Sequence, residues 1–204
     1  MSKQRLQRGL IAIALCALIY PWAQAVAHER TTDRETDSRV TDAGLPPESI
    51  EMTRVSSTTG DSIGTIRVTQ LAEGLLFEPA LEELSPGLHG FHVHEGDQCA
   101  PTRERDNDSA APSVEPAGEA GTHWDPGLKG NHEGPWGMGH LGDLPNLYVD
   151  PDGVATLPVY APRLTLRDIS ERALVVHANR DNYTDDPDGM GGSGNTVACG
   201  VLKQ

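Results

Sequence analysis

The stretch Gly90-Phe91-His92-Val93-His94-Glu95 decides how this 204-residue chain is read. Phe91, Val93 and the nearby Leu88 give it strand character, and side chains two apart on a strand leave the same face. His92 and His94 therefore project together, with Cα atoms roughly 7 Å apart, near enough for two imidazoles to meet on one metal ion through bonds of about 2 Å. Phe91, Val93 and Glu95 alternate onto the other face, where the first two can enter a hydrophobic core. A lone His-x-His also arises by chance on surface strands, so the rest of the chain has to decide.

Downstream, the stretch GTHWDPGLKGNHEGPWGMGHLGDLPN supplies His123, His132, His140 and Asp143. Three imidazoles and a carboxylate suit tetrahedral zinc. A segment this rich in Gly and Pro has little core of its own, and a metal would order it. His177 ends another β-rich run, Ala173 to Ala178, and could join His92 and His94. Of the eight histidines, six fall in these groups; His28 and His89 remain outside them.

Around these residues, runs of β character recur between Gly, Pro, Asp and Asn clusters. They are Ile50 to Ser56, Ile63 to Gln70, Gly74 to Glu78, Gly87 to Glu95, Asn146 to Val149, Val154 to Val159, Ala173 to Ala178 and Val197 to Leu202. Short strands with such punctuation predict an antiparallel sandwich or barrel. One short helix is expected over Leu166 to Glu171. Two long interruptions, Gly96 to Leu144 and Asn179 to Thr196, are expected to be loops, and loops of that length are commonly functional. Within the first, the acidic insert PTRERDNDSAAPSVEPAGEAG between Cys99 and His123 reads as solvated loop.

The domain of residues 50–204 is preceded by two other segments. Residues 1–27 have the layout of a secretory signal peptide: basic Lys3, Arg5 and Arg8, an apolar run from Leu10 to Tyr20, and a small-x-small cleavage site at Ala23-Gln24-Ala25 or Ala25-Val26-Ala27. Cys16 follows Leu15 rather than a small residue, which argues against a lipidated cysteine. Residues 28–49 are polar, without apolar periodicity, and read as a flexible tether. Cleavage after Ala25 would leave Val26-Ala27-His28 as an amino terminus able to take Cu(II) in a square plane; cleavage after Ala27 would abolish that site. Such a leader predicts export of the chain.

Loss of the signal leaves Cys99 and Cys199, of three cysteines, and two cysteines in an exported chain read as one disulfide. It also removes three cations and no acid, taking the formal net charge from −14 to −17. So acidic a chain does not coat nucleic acid or an anionic membrane.

The segments HGFHVHEGDQC (89–99), THWDPGLKGNHEGP (122–135), GHLGDLPN (139–146), LVVHANRDN (174–182) and ACGV (198–201) resemble the copper,zinc superoxide dismutases of exported bacterial type. The resemblance implies an eight-stranded antiparallel Greek-key barrel carrying copper and zinc beneath two long loops. It makes His92, His94 and His177 copper ligands, His123 a ligand shared by both metals, and His132, His140 and Asp143 the other zinc ligands. Asp181 takes the place of a carboxylate joining a copper-ligand imidazole to a zinc-ligand imidazole, and Cys99 and Cys199 match the family disulfide. The implied reaction converts superoxide to oxygen and hydrogen peroxide, with copper alternately reduced and reoxidised.

One feature departs from the pattern. An arginine usual three residues before the second disulfide cysteine is Thr196 here, preceded by Asn195, and Lys129 and Arg180 are candidate substitutes for guiding the anion. That departure keeps in view a copper- and zinc-buffering protein with slow turnover. A barrel that has lost its chemistry is disfavoured by the full ligand set, a copper-only relative by His132, His140 and Asp143, and a zinc hydrolase by the closed zinc position. A homodimer is compatible with the sequence.

Overall fold

The computed structural model describes residues 45–104, 113–187 and 189–203. The expected signal peptide, nearly all of the tether, and the Val26-Ala27-His28 site lie outside them. Strands β1 (Glu48–Val55), β2 (Thr59–Gln70) and β3 (Leu75–Leu81) form an antiparallel meander whose inward residues, Ile50, Met52, Ile66, Val68, Leu75 and Phe77, are fully buried. Strands β4 (Gly87–His89), β5 (Phe91–Val93), β6 (Thr102–Glu104), β7 (Ser113–Glu115), β8 (Leu147–Val149) and β9 (Val159–Ala161) follow. Helix α1 (Leu166–Ile169), β10 (Ala173–His177) and β11 (Thr196–Val201) complete the order.

Seven strands share one sheet in the order β5-β10-β11-β1-β2-β3-β9, and β4 pairs with β8 separately. The chain crosses from β3 on one side of this order to β5 on the other, and back from β9 to β10, which is a Greek-key path. The curled antiparallel sheet makes a barrel of eight strands when β4 and β5 are counted as one interrupted run and the β6–β7 hairpin is set aside as part of a loop. Phe77 and Phe91 meet edge to face inside it, ring centroids 5.5 Å apart.

Several boundaries differ from the sequence expectation. Gly87 to Glu95 is not one strand: Gly90 breaks it, donating its N–H to Asn179 O at 2.7 Å and accepting from His177 N at 2.8 Å. A Cβ at Gly90 would lie 2.3 Å from Ser193 Oγ, so only glycine lets the chain pass there. The run expected over Val154 to Val159 is displaced to Val159–Ala161, with Ala155 making an isolated bridge to Leu81. Strand β1 starts at Glu48, so Glu48 and Ser49 are paired strand, facing Val68 and Arg67, rather than tether. The acidic insert is not wholly solvated loop: it contains the β6–β7 hairpin, and its Ala117 and Ala120 are buried against Val175 and Cys199. Cys99 and Cys199 are joined in a disulfide, Cα atoms 5.7 Å apart, which ties this loop to β11.

Candidate metal centre

Strand β5 places Phe91 and Val93 in the core and turns His92 away from it. Opposite, β10 carries Val175 level with His92 and ends at His177. His94 bridges to His123 and His92 to Asp143, so the first long loop lies along the histidine face of the sheet. The consequence is two clusters that share one ring. Donor atoms of His92, His94, His123 and His177 lie within 4.8 Å of one another, and so do those of His123, His132, His140 and Asp143. All seven residues are buried.

In the second cluster the Nδ1 atoms of His123, His132 and His140 stand 3.0, 3.0 and 3.5 Å from Asp143 Oδ1. The edge of a tetrahedron with metal–ligand bonds of 2.0–2.1 Å is about 3.3 Å, so these separations are those of ligands around one zinc-sized ion. In four of the six rings one further nitrogen is held. His94 Nδ1 donates to Gly121 O at 2.8 Å and His177 Nδ1 to Gly194 O at 2.9 Å. Asp181 accepts from His92 Nε2 at 2.8 Å through Oδ2 and from His132 Nε2 at 2.8 Å through Oδ1. Such bonds fix which nitrogen faces the cluster.

That leaves a set of buried nitrogens with no hydrogen-bond partner: Nδ1 of His92, His132 and His140, and Nε2 of His94 and His177. His132 Nδ1 approaches Asp143 closely but off the hydrogen-bonding direction. An unmet buried polar atom costs on the order of 1–3 kcal/mol, so the set together rivals the whole stability of a domain. Metal ions at the two cluster centres would satisfy all of them, so the residues fit a two-metal site.

Burial and the neighbouring imidazoles hold His92 and His94 well below the usual imidazole range. Burial takes His177 down to about 4 against the pull of its bond to Gly194 O. At neutral pH these rings keep free lone pairs. His132 is the exception: burial opposes its charge, but the Asp143 and Asp181 carboxylates prevail and raise it to about 9. Asp143, despite burial, sits well below the carboxylate range because His123 and His132 face it.

A cavity of about 550 Å³ reaches His94, His123 and His177. Thr196, opposite His177 on β11, lines it, as do Asn195, Asn179 and Glu115. Ser193 also lines it, with a buried hydroxyl that has no partner. Among the described residues no Lys or Arg lines this cavity. Lys129 lines a different one, beside Met138 and Arg163, and Arg180 is exposed next to Asp181.

Residues 62–202 match the copper/zinc superoxide dismutase (SODC) family. The chain belongs to the copper/zinc superoxide dismutase family. It is 47% identical over 165 residues to the Cu-Zn superoxide dismutase of Escherichia coli (strain K12), covering 80% of this chain and 92% of that protein. Among solved structures it is similar to the Cu/Zn superoxide dismutase of Brucella abortus, with TM-score 0.72, 42% identity, and coverage of 77% of this chain and 99% of that one. It is also similar to the monomeric copper, zinc superoxide dismutase of Salmonella enterica, with TM-score 0.68, 44% identity, and coverage of 78% and 100%. Copper and zinc are the cofactors of this superoxide dismutase fold, and the two histidine clusters are where they fit.

Three supports escaped the sequence reading. The His89 ring spans Ser85 O and His177 O, at 2.7 and 2.6 Å, beneath a cluster residue. Asn146 accepts from Asp181 N at 2.7 Å and donates to Asp181 O at 3.0 Å, gripping the carboxylate that links the clusters. Gly191 lies over that link: a Cβ there would fall 2.0 Å from Asp181 Oδ1. Apart from Ser85, their partners lie well along the chain, and only His89, abutting the central stretch, carried a local signal.

Proposed function

We propose that this chain is a superoxide dismutase in which His92, His94, His123 and His177 hold copper and His123, His132, His140 and Asp143 hold zinc. The observation that carries the reading is the set of unpartnered buried nitrogens, all aimed at two centres that share His123. When bound, copper supplies an electron relay: one superoxide is oxidised to dioxygen and a second, reduced and joined by two protons, leaves as hydrogen peroxide. Zinc has no second oxidation state to offer, so the ring it shares is positioned by it and not oxidised.

The chain's own residues supply the rest. With His123 Nδ1 directed at Asp143, its Nε2 serves the cluster that the cavity reaches, and it is the nitrogen placed to take up a proton and pass it to the peroxide. His94, His177 and their carbonyl partners hold two lone pairs in fixed directions through both halves of the cycle. Asp181 keeps His92 and His132 in register. One copy of the chain contains the whole ligand set, so a homodimer is not needed for the chemistry, and sedimentation measures whether one forms. Residues 1–27 direct export to the periplasm in this reading, and amino-terminal sequencing of the mature protein identifies the cleavage site and decides whether His28 stands third.

The buffering alternative is not favoured, because a store has no need of an open cavity reaching the redox-side ligands. The test is superoxide consumption per bound copper on the purified mature protein, with both metals assayed in the same sample. Turnover far above that of free copper is expected. Full occupancy with a rate no better than free copper would leave only storage.

A further inference from the structure

We propose that Arg163 is a positioning residue that shapes the segment from His132 to His140 for zinc before any metal arrives. This rests on the zinc reading given above. Arg163 follows β9 and precedes Leu164, which is buried in the core, and α1, whose Leu166 N–H is held by Gln70 Oε1 of β2 at 2.8 Å. Its backbone is thus fixed to the barrel.

From there the guanidinium reaches four carbonyls of one loop. Nε donates to Pro135 O at 3.0 Å, Nη1 to Gly139 O at 3.2 Å, and Nη2 to Gly134 O at 3.3 Å and to His140 O. The planar fork matches such a spread of acceptors; an ammonium offers three donors from a single point.

The segment has few other means of holding its shape. Its two largest apolar side chains face solvent, Trp136 at 67% and Met138 at 75% exposure, and Pro135 is the one buried apolar residue in it, so hydrophobic burial anchors it weakly. Apart from short local turns, its other backbone ties are single bonds: His132 N–H to Asp185 Oδ2 at 2.9 Å, Glu133 N–H to Asp143 Oδ2 at 3.3 Å, Met138 N–H to Glu133 Oε2 at 2.7 Å, and His140 N–H to Asn131 O at 3.0 Å. Among these none but the last reaches Pro135, Gly139 or the His140 end. Arg163 thus holds both sides of the loop, and the carbonyl of His140 itself. Its charge is attracted to Asp143 and Glu133 but opposes an incoming dication, so charge alone does not account for an arginine here. Hydrogen-bond geometry is the property the site uses.

The test compares the full chain with Arg163→Lys and Arg163→Met. Zinc affinity is measured by chelator competition on copper-free protein, and amide hydrogen exchange of residues 134–140 on metal-free protein. Copper affinity serves as the control. Both variants are expected to weaken zinc by about 10–100-fold, as loss of a group supporting a ligand does, and to speed exchange in the segment, with copper affinity held within about twofold. Unchanged zinc affinity and exchange would overturn the proposal, as would tighter zinc binding by Arg163→Met, the result of a purely electrostatic role. If Arg163→Met fails to fold, Arg163→Lys decides by the same readouts. A parent chain whose zinc uptake is indifferent to His140→Ala would refute the zinc reading itself, whereas unchanged exchange in Arg163→Lys refutes the role of Arg163 alone.

Discussion

Asp181 has both carboxylate oxygens committed, one to His92 Nε2 and the other to His132 Nε2, and its Oδ1 also receives the Tyr183 N–H at 2.7 Å. An asparagine has one acceptor oxygen and would turn an amide N–H₂ toward the second imidazole N–H. We expect Asp181→Asn to weaken zinc binding about 10–100-fold with the fold intact, measured by chelator competition. His132 makes a different prediction. Its pKa of about 9 means that the metal-free ring is charged at pH 7, so zinc must displace a proton there. On the proposed assignment, His123 would lose its last ring proton only with both metals bound. Zinc uptake at pH 7 should therefore release about one proton, and copper added afterwards about one more, read from the buffer dependence of titration calorimetry. Zinc affinity should fall as pH drops below about 9, and a pH-independent affinity between 6 and 9 would refute the assignment. The residues of the two clusters were legible, because imidazoles at these spacings are an unusual composition. Arg163 and Asn146 were not: an arginine whose partners are backbone carbonyls leaves no mark in the residues it binds.

Elements divide in the same way. Runs of β-forming residues located β1, β2, β3, β10 and β11 to within a few residues: β1 and β3 alternate buried with exposed or half-buried side chains, and β10, between β5 and β11, is an apolar run buried along its whole length. Such a run joined β4 to β5 because Gly90 changes hydrogen-bonding partners without interrupting the hydrophobic pattern, and that change depends on Asn179 and His177, far along the chain. The loop elements followed tertiary demands as well, such as the β6–β7 hairpin that brings Glu115 to the cavity. The disulfide is where an element-scale consequence can be measured. Cys199 sits on β11 between β1 and β10, facing Thr53 and Val175, and its link to Cys99 closes a span of 100 residues. Replacing both cysteines by serine should cost about 2–5 kcal/mol and lower Tm by on the order of 10 °C in the metal-free protein. Because the same loop runs on to His123, the variant should also lose zinc more readily, and a melt within about 2 °C of the parent would show that the link does not hold the loop.

At the scale of the whole molecule, the relevant quantity is the field that the substrate meets. The chain carries 30 acids against 16 Lys and Arg, and the cavity over His94, His123 and His177 is lined, among the described residues, by Glu115 and by no cation. A cleft focuses whatever charge lines it, and superoxide is an anion. Salt screens exposed charges over about 30 Å at 0.01 M and about 8 Å at 0.15 M, so raising ionic strength across that range removes repulsion as readily as it removes attraction. The protein's own charges repel the anion as it approaches, and where they outweigh the pull of the bound metals at the cavity floor, kcat/KM for superoxide should rise with salt, by no more than about tenfold, the low end of what steering does in the opposite sense. Glu115→Gln should raise the rate at low salt and flatten the slope, with metal content unchanged. A rate that falls as salt rises would mean that cations beyond the described lining govern entry, Lys129 and Arg180 being the first to replace by Gln. A slope that Glu115→Gln leaves untouched would place the repulsion in the net charge of the molecule and not in the cavity.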